Sequence, residues 1–287
     1  MADELNTPNH RYYQQRYHAH LAPEDSSRKF ILDSGIQKID ASALAIYAVL
    51  GIKPELVFDF DADKYFVNSR RSTFSDSVTH SASSNATMVD SDGLLKWRPH
   101  NLLTYSEDFS DSSWVKDSTT VTANATAAPD GTATATEISH TANGGRLRKD
   151  VPTIAGVQYT LGVFAKYVDN QWIGIASNNS ASPYFTWFDI QNGVVGVDGS
   201  DGASITDIGN GWYLLLCPQV ANDTTGYFEI HLNTGDNVTA ESVGTYAYIW
   251  GAHVYRSDLG GMVNNPDRGD SYVPTTSAAV YLPRRGH

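Results

Sequence analysis

The sequence predicts an all-β protein: a sandwich of two antiparallel sheets, preceded by an extended N-terminal arm that contains a short helix. Two observations carry this. From residue 120 onward, roughly ten short alternating or apolar runs are separated by turn-forming pieces every 8–12 residues or so, the rhythm of a sandwich. The composition agrees. Of 287 residues, 23 are Gly, 16 Tyr and 6 Trp, while charged residues make up only 18%, below the ~25% usual in soluble domains. Aromatic residues interleaved with turn formers favour strands over helices.

In chain order, residues 1–30 show no sustained period of 2 or 3.6, but gather Tyr12, Tyr13 and Tyr17 beside Arg11 and Arg16. An aromatic and basic tail of this kind is ordered by a partner. The run DASALAIYAVL (40–50) predicts the helix: Asp40 caps it, Gly51 stops it, and Leu44, Tyr47 and Leu50 recur at helical spacing. A helix this short needs something to pack on. LVFDFDADKYFV (56–67) reads as a strand piece, and the Ser-rich stretch 72–93 as an extended, exposed connection with little core. Asp92-Gly93 marks a tight turn. The regular strands follow: 120–124, 133–140, 145–151, 157–168, 171–178, 184–190, 194–199, 203–209, 211–220, 226–233 and 244–255. In YTLGVFAKYV, Tyr159, Leu161, Val163 and Ala165 share one face. Phe164 makes the other face less polar than alternation alone requires. These readings divide the chain into an arm (1–55), a strand-containing connector (56–100) and a sandwich (101–287).

The net charge is -12, and residues 101–287 hold 19 Asp and Glu against 9 Lys and Arg. A phosphate backbone needs cations, so nucleic acid is not the expected partner. The first hundred residues are nearly balanced, and any charged partner is expected there. No run approaches 18 apolar residues, so no membrane insertion is expected. The opening MADELNTPNH lacks the layout of a secretory signal, which points to synthesis in a cytoplasm. The single cysteine, Cys217, sits in the apolar run WYLLLCPQV and reads as a buried small hydrophobe.

Catalytic motifs are missing: the chain has no GxSxG, HExxH or GxxxxGK[ST]. No enzyme and no cofactor are therefore expected. Asp59, Asp61 and Asp63 are spaced to face one side of a strand and form a weak calcium candidate, without the Gly and terminal Glu of an EF-hand. Asp198 and Asp201, and the NTGDN piece at 233–237, read as turns. His10, His18 and His20 lack an acidic or cysteine partner to close a metal site. Asp189, Glu229 and Asp207 can be nominated as glycosidase acids, but nothing singles them out. Arg268-Gly269-Asp270 is read as a turn. Sugar sites use flat aromatic platforms flanked by amide groups, and Trp172, Tyr184 and Trp187, with Asn178 and Asn179, are the candidates. Trp114, Trp212 and Trp250 read as core.

The segment NLLTYSEDFSDSSWVKDSTTVTANATAAPDGTATATEI resembles the start of a domain found in tail, fibre and other virion proteins of tailed bacteriophages. The likeness continues through YTLGVFAKYVDNQWIGI, WFDIQNGVVG, IGNGWYLLL and YIWGAHVY to SYVPTTSAAV, and so covers about 180 residues. Where such domains often carry Gln-Leu-Glu after a Trp-Gly pair, this chain has Ala252-His253-Val254-Tyr255. The resemblance implies a jelly-roll-like sandwich, similar to carbohydrate-binding modules and concanavalin-type domains. It also implies a virion location after synthesis in the bacterial host. The partners it implies are other virion proteins of tail, collar or capsid, further copies of the chain, and host-surface polysaccharide. The expected role is structural: a sandwich displayed outward from a fibre, adaptor or head decoration, anchored by Tyr12, Tyr13, Arg16, Tyr17, Leu44, Tyr47 and Leu50. The alternatives are a glycan-binding module proper and, behind it, a polysaccharide-degrading enzyme.

Overall fold

The computed structural model describes Tyr47 and residues 50–59, 64–68, 70–177, 185–200 and 202–283. The chain forms two compact units, one up to His80 and one from Ser81 to Arg284.

In the first unit, β1 (Leu56–Asp59), β2 (Lys64–Val67) and β3 (Arg70–Ser72) form an antiparallel sheet. A helical turn, α1 (Phe74–Ser77), follows; Thr73 caps it, its hydroxyl accepting the Asp76 N–H. Tyr65, Phe66 and Phe74 are buried, with the Tyr65 and Phe74 rings edge to face at 5.3 Å. The stretch 72–93, read as an extended and exposed connection with little core, thus opens on a helical turn with one buried side chain, Phe74. Thr73 and Phe74 supply the cap and apolar contact that a Ser-rich composition conceals. Of the predicted helix at 40–50, Tyr47 is helical and Leu50 lies in a turn; the rest falls outside the described residues.

The second unit is the sandwich. A hairpin of β4 (Thr87–Val89) and β5 (Leu95–Trp97) turns at Gly93, whose φ of 79° suits the Asp92-Gly93 turn. β6 (His100–Asn101) pairs with the last strand, β19 (Val280–Tyr281). Between them run β7 (Val115–Asp117), β8 (Thr119–Thr126), β9 (Ala135–His140), β10 (Arg146–Pro152), β11 (Gln158–Tyr167), β12 (Trp172–Ser177) and β13 (Phe185–Asp189). These are followed by β14 (Val194–Val195), β15 (Ser204–Gly209), β16 (Trp212–Val220), β17 (Thr225–Asn233) and β18 (Tyr246–Arg256). One six-stranded sheet has the order β14-β13-β12-β17-β10-β7, the other β15-β16-β11-β18-β9-β8, and all pairings in them are antiparallel. The predicted all-β sandwich is the observed architecture.

The main core lies between the sheets. Tyr159, Leu161, Val163 and Ala165 of β11 point into it, facing Ile173, Ile175, Phe228 and Ile230. Phe164 belongs to a second core on the outer face of its sheet, with Trp212, Trp250 and Tyr272. The C-terminal segment supplies that cover. Tyr272 Oη donates to Glu107 at 2.8 Å and Thr275 Oγ1 to the Leu103 carbonyl at 2.6 Å, so the first and last stretches of the domain clasp each other. Asn101 fixes the clasp. Its Oδ1 accepts the N–H groups of Leu103 and Val254, and its Nδ2 donates to Ala252 and Val273. Trp114, Trp212 and Trp250 are core as expected, and Cys217 is fully buried, its thiol pushed up to about 11 by burial.

Candidate functional site

The outer face of the first sheet holds the aromatic and polar residues that alternation places there. On β12, Ile173 and Ile175 turn to the core, leaving Trp172, Gly174 and Ala176 outside. Gly174 lies opposite Trp187 on one side and His231 on the other; Ala176 lies between Phe185 and Glu229, and Trp172 between Asp189 and Asn233. Two small residues on the middle strand thus let the side chains of the flanking strands meet in a seam, with Asn233 and Phe185 closing over Gly174 and with Ala176 fully buried. Its β13 wall is aromatic (Phe185, Trp187) and its β17 wall polar (Glu229, His231, Asn233). A side chain at Gly174 would collide with the Asn233 amide, which lies across it.

The polar wall is closely connected. Glu229, 3% exposed, accepts from Arg146 Nη1 at 3.2 Å and stands 3.6 Å from Arg148 Nη1. Arg146 also pairs with Asp117, and Arg148 with Asp150 while stacking 4.2 Å over the Tyr227 ring. His231 Nε2 is 3.4 Å from Glu229, and its ring meets Phe185 edge to face at 4.8 Å. Two groups in this wall lack hydrogen-bond partners: His231 Nδ1, 3.6 Å from Glu241, and both polar atoms of the Asn233 amide, a residue 1% exposed. Orphaned buried polar atoms cost about 1–3 kcal/mol each and require an explanation.

The segment 234–241 crosses this face. Asp236 accepts the Val197 N–H at 2.7 Å beside Trp172 and Gly196 at the β14 edge. The Trp187 indole donates to the Val238 carbonyl at 3.1 Å. Glu241 accepts the Gly144 N–H at 2.9 Å. Trp172 stays partly exposed, whereas Trp187 is 2% exposed. The expectation of an open platform at Trp187 is corrected: its indole lies under the crossing segment, packed with Phe185 and Val197.

The other sequence candidates divide plainly. Asn178, Asn179 and Tyr184 fall outside the described residues, as do Tyr12, Tyr13, Arg16, Tyr17, Leu44, Asp61, Asp63 and the three N-terminal histidines. Leu50 is 63% exposed and Tyr47 partly exposed. Asp59 ends β1 opposite Lys64. Among the described residues no group of three or more His, Cys, Asp or Glu side chains is arranged so that it could hold a metal ion. Asp189 organises a turn, accepting from Gln171, Gln191 and Asn192, and these bonds hold its carboxyl below the usual range against burial. Asp198 organises a turn by accepting the Ser200 and Ala203 N–H groups, and Asp207 another by accepting that of Gly209. Arg268 pairs with Asp270 and packs over Trp250 and Tyr272. Sequence reasoning missed Phe185, His231, Asn233 and Glu241 as neighbours. GYFEIHLN marked β17 as a strand but gave no sign of the strand beside it.

No protein-family model and no curated protein matches the chain. Solved structures match at low likeness. The enzymatically active domain of tailspike protein 4 of bacteriophage CBA120 is 15% identical, with TM-score 0.33, covering 54% of this chain and 21% of that one. A Clostridium thermocellum xylanase fragment, a carbohydrate-binding module joined to a catalytic module and complexed with xylohexaose, is 15% identical, with TM-score 0.34, covering 55% and 28%. The module TmCBM61, in complex with β-1,4-galactotriose, is 13% identical, with TM-score 0.32, covering 54% and 98%. The chain thus spans under a third of the tailspike and xylanase chains. At these TM-scores the likenesses carry no argument about function, which rests on the residues above. Among the described residues no helix is long and apolar enough to cross a membrane.

Proposed function

We propose that the chain is a carbohydrate-binding β-sandwich that recognises host-surface polysaccharide without cleaving it. The observation that carries this reading is the seam on the first sheet where an aromatic strand faces a polar one. Gly174 and Ala176 form its floor, one wall is aromatic, and the other ends in the unpartnered amide of Asn233. Sugars present apolar C–H faces to aromatic rings and hydroxyls to amides, and the two walls offer both. A screen of the full chain against polysaccharides tests it: binding is expected, and is expected to weaken at least tenfold in W172A with the fold unchanged. Binding that survives both W172A and N233A would move the site elsewhere. Release of reducing ends on incubation would replace binding with hydrolysis.

The setting proposed for this activity is the virion of a tailed phage, with residues 1–55 as the anchor. The support is the run of likeness from NLLTYSEDF to SYVPTTSAAV, the two stretches that clasp in the fold. Gold-labelled antibody against residues 101–287 is expected to mark intact particles. Deletion of residues 1–55 is expected to abolish incorporation while the sandwich stays folded.

A further inference from the structure

We infer that the segment Thr234–Glu241 is a strap closed over the sugar site, and that it lifts to admit a neutral sugar whose hydroxyls take up the Asn233 amide. This rests on the binding reading above and adds the state of the site and its ligand class. The strap is attached at few points. Asp236 holds the Val197 N–H, the Val238 carbonyl takes the Trp187 indole N–H, and Glu241 holds the Gly144 N–H beside His231 while its own N–H donates to Asn143 Oδ1 at 3.4 Å. Thr234 and Ala240 close its base through an N–H···O bond of 3.0 Å. Its residues Asp236 to Ala240 are exposed on their outer side, so little apolar burial opposes lifting, and such segments open at a fraction of the global stability. What it covers is unusual for a permanent interior. Asn233 is 1% exposed with neither amide atom partnered, and His231 Nδ1 makes no hydrogen bond, with the Glu241 carboxylate 3.6 Å away. An apolar residue would fill this position at no such cost, whereas an amide here is ready for a donor and acceptor pair, which vicinal hydroxyls provide.

The charge of the site selects among sugars. Arg146 and Arg148, the cations on this face, are engaged by Asp117, Glu229 and Asp150. A carboxylate or sulfate on the ligand would compete with three carboxylates already in place, so a neutral pyranose is the fitting class.

Locking and releasing the strap test the inference. A side chain at Gly196 would abut Asp236, so the pair Gly196→Cys and Asp236→Cys is set to form a disulfide, undisturbed by the buried Cys217. The oxidised protein is expected to bind neutral polysaccharide at least tenfold more weakly than the same protein reduced. In unmodified protein, the Val197 and Gly144 amides are expected to exchange hydrogen through a local opening, faster still in D236A. Equal binding by the oxidised and reduced forms would overturn the strap while leaving the binding reading intact. Exchange of both amides only on global unfolding would overturn it whether or not any glycan binds. Absence of glycan binding in every form would instead defeat the binding reading, and with it the strap's ligand.

Discussion

At the residue scale, three histidines are used as neutral wedges. His100 accepts the Arg256 N–H at Nε2, with Nδ1 2.7 Å from the Arg98 carbonyl; His140 Nε2 accepts the Leu232 N–H; His253 fills the space that Gly162 leaves open. Burial holds all three near 4, down from 6.5. Their neutral forms stabilise the fold fully above about pH 6.5, and that stability is lost as pH falls from there to about 4. The loss is of order 3 kcal/mol each if they titrate independently. Asp189, Asp198 and Asp258 are lowered from 3.8, so the stability they contribute is fully present above that pH and is lost only below it. Urea midpoints are therefore expected to drop steeply between pH 6.5 and 4.5, and a flat profile there would contradict the assignment. A second prediction concerns Asn101, whose four bonds are all made inside the protein. N101A strands two buried N–H groups and two carbonyls, and should cost about 3 kcal/mol or more, read as a lowered urea midpoint. Asn101 stood in the sequence as part of NLL, but its role was not legible: three of its four partners lie more than 150 residues away. The same holds for His253, which sequence could mark only as a departure from a familiar pattern.

At the scale of elements, the long strands were legible because alternation and turn residues are local signals. β11 to β13 and β16 to β18 stand close to where the pattern puts them. The three-residue β7 and the two-residue β6 and β19 were not, since pieces so short carry no period and exist only through their partners. Phe164 was visible as an anomaly on the polar side of β11. Its explanation needed the C-terminal segment folded back as a second layer, a non-local fact. This layer makes a prediction of its own. Y272A removes a ring in contact with Phe164, Trp250 and His253 and a hydroxyl bonded to Glu107. It should destabilise by roughly 3–5 kcal/mol, seen as a lower melting temperature with strand content retained below it. A variant as stable as the parent would show that the segment is merely draped on the sheet.

At the scale of the whole molecule, the acidic surface and the two-sheet frame were legible from composition and rhythm, while the site was legible only in part. Trp172 and Trp187 were picked out as aromatics, yet sequence could not tell that one is partly open and the other roofed by residues 50 positions on. The polar wall escaped because β12 and β17 become neighbours only through the sheet order. One outer face is sealed by the clasped ends of the domain, and the other carries the seam between the aromatic and polar walls. The most direct measurement is amide and indole NMR shift mapping of the full chain titrated with fragments of neutral host polysaccharide. Shifts concentrated at Trp172, Trp187, His231, Asn233 and the 234–241 segment, with Trp212, Trp250 and Tyr272 unmoved, are the predicted result. Saturable shifts confined to the opposite sheet, or none with any fragment, would contradict a sugar site on the first sheet.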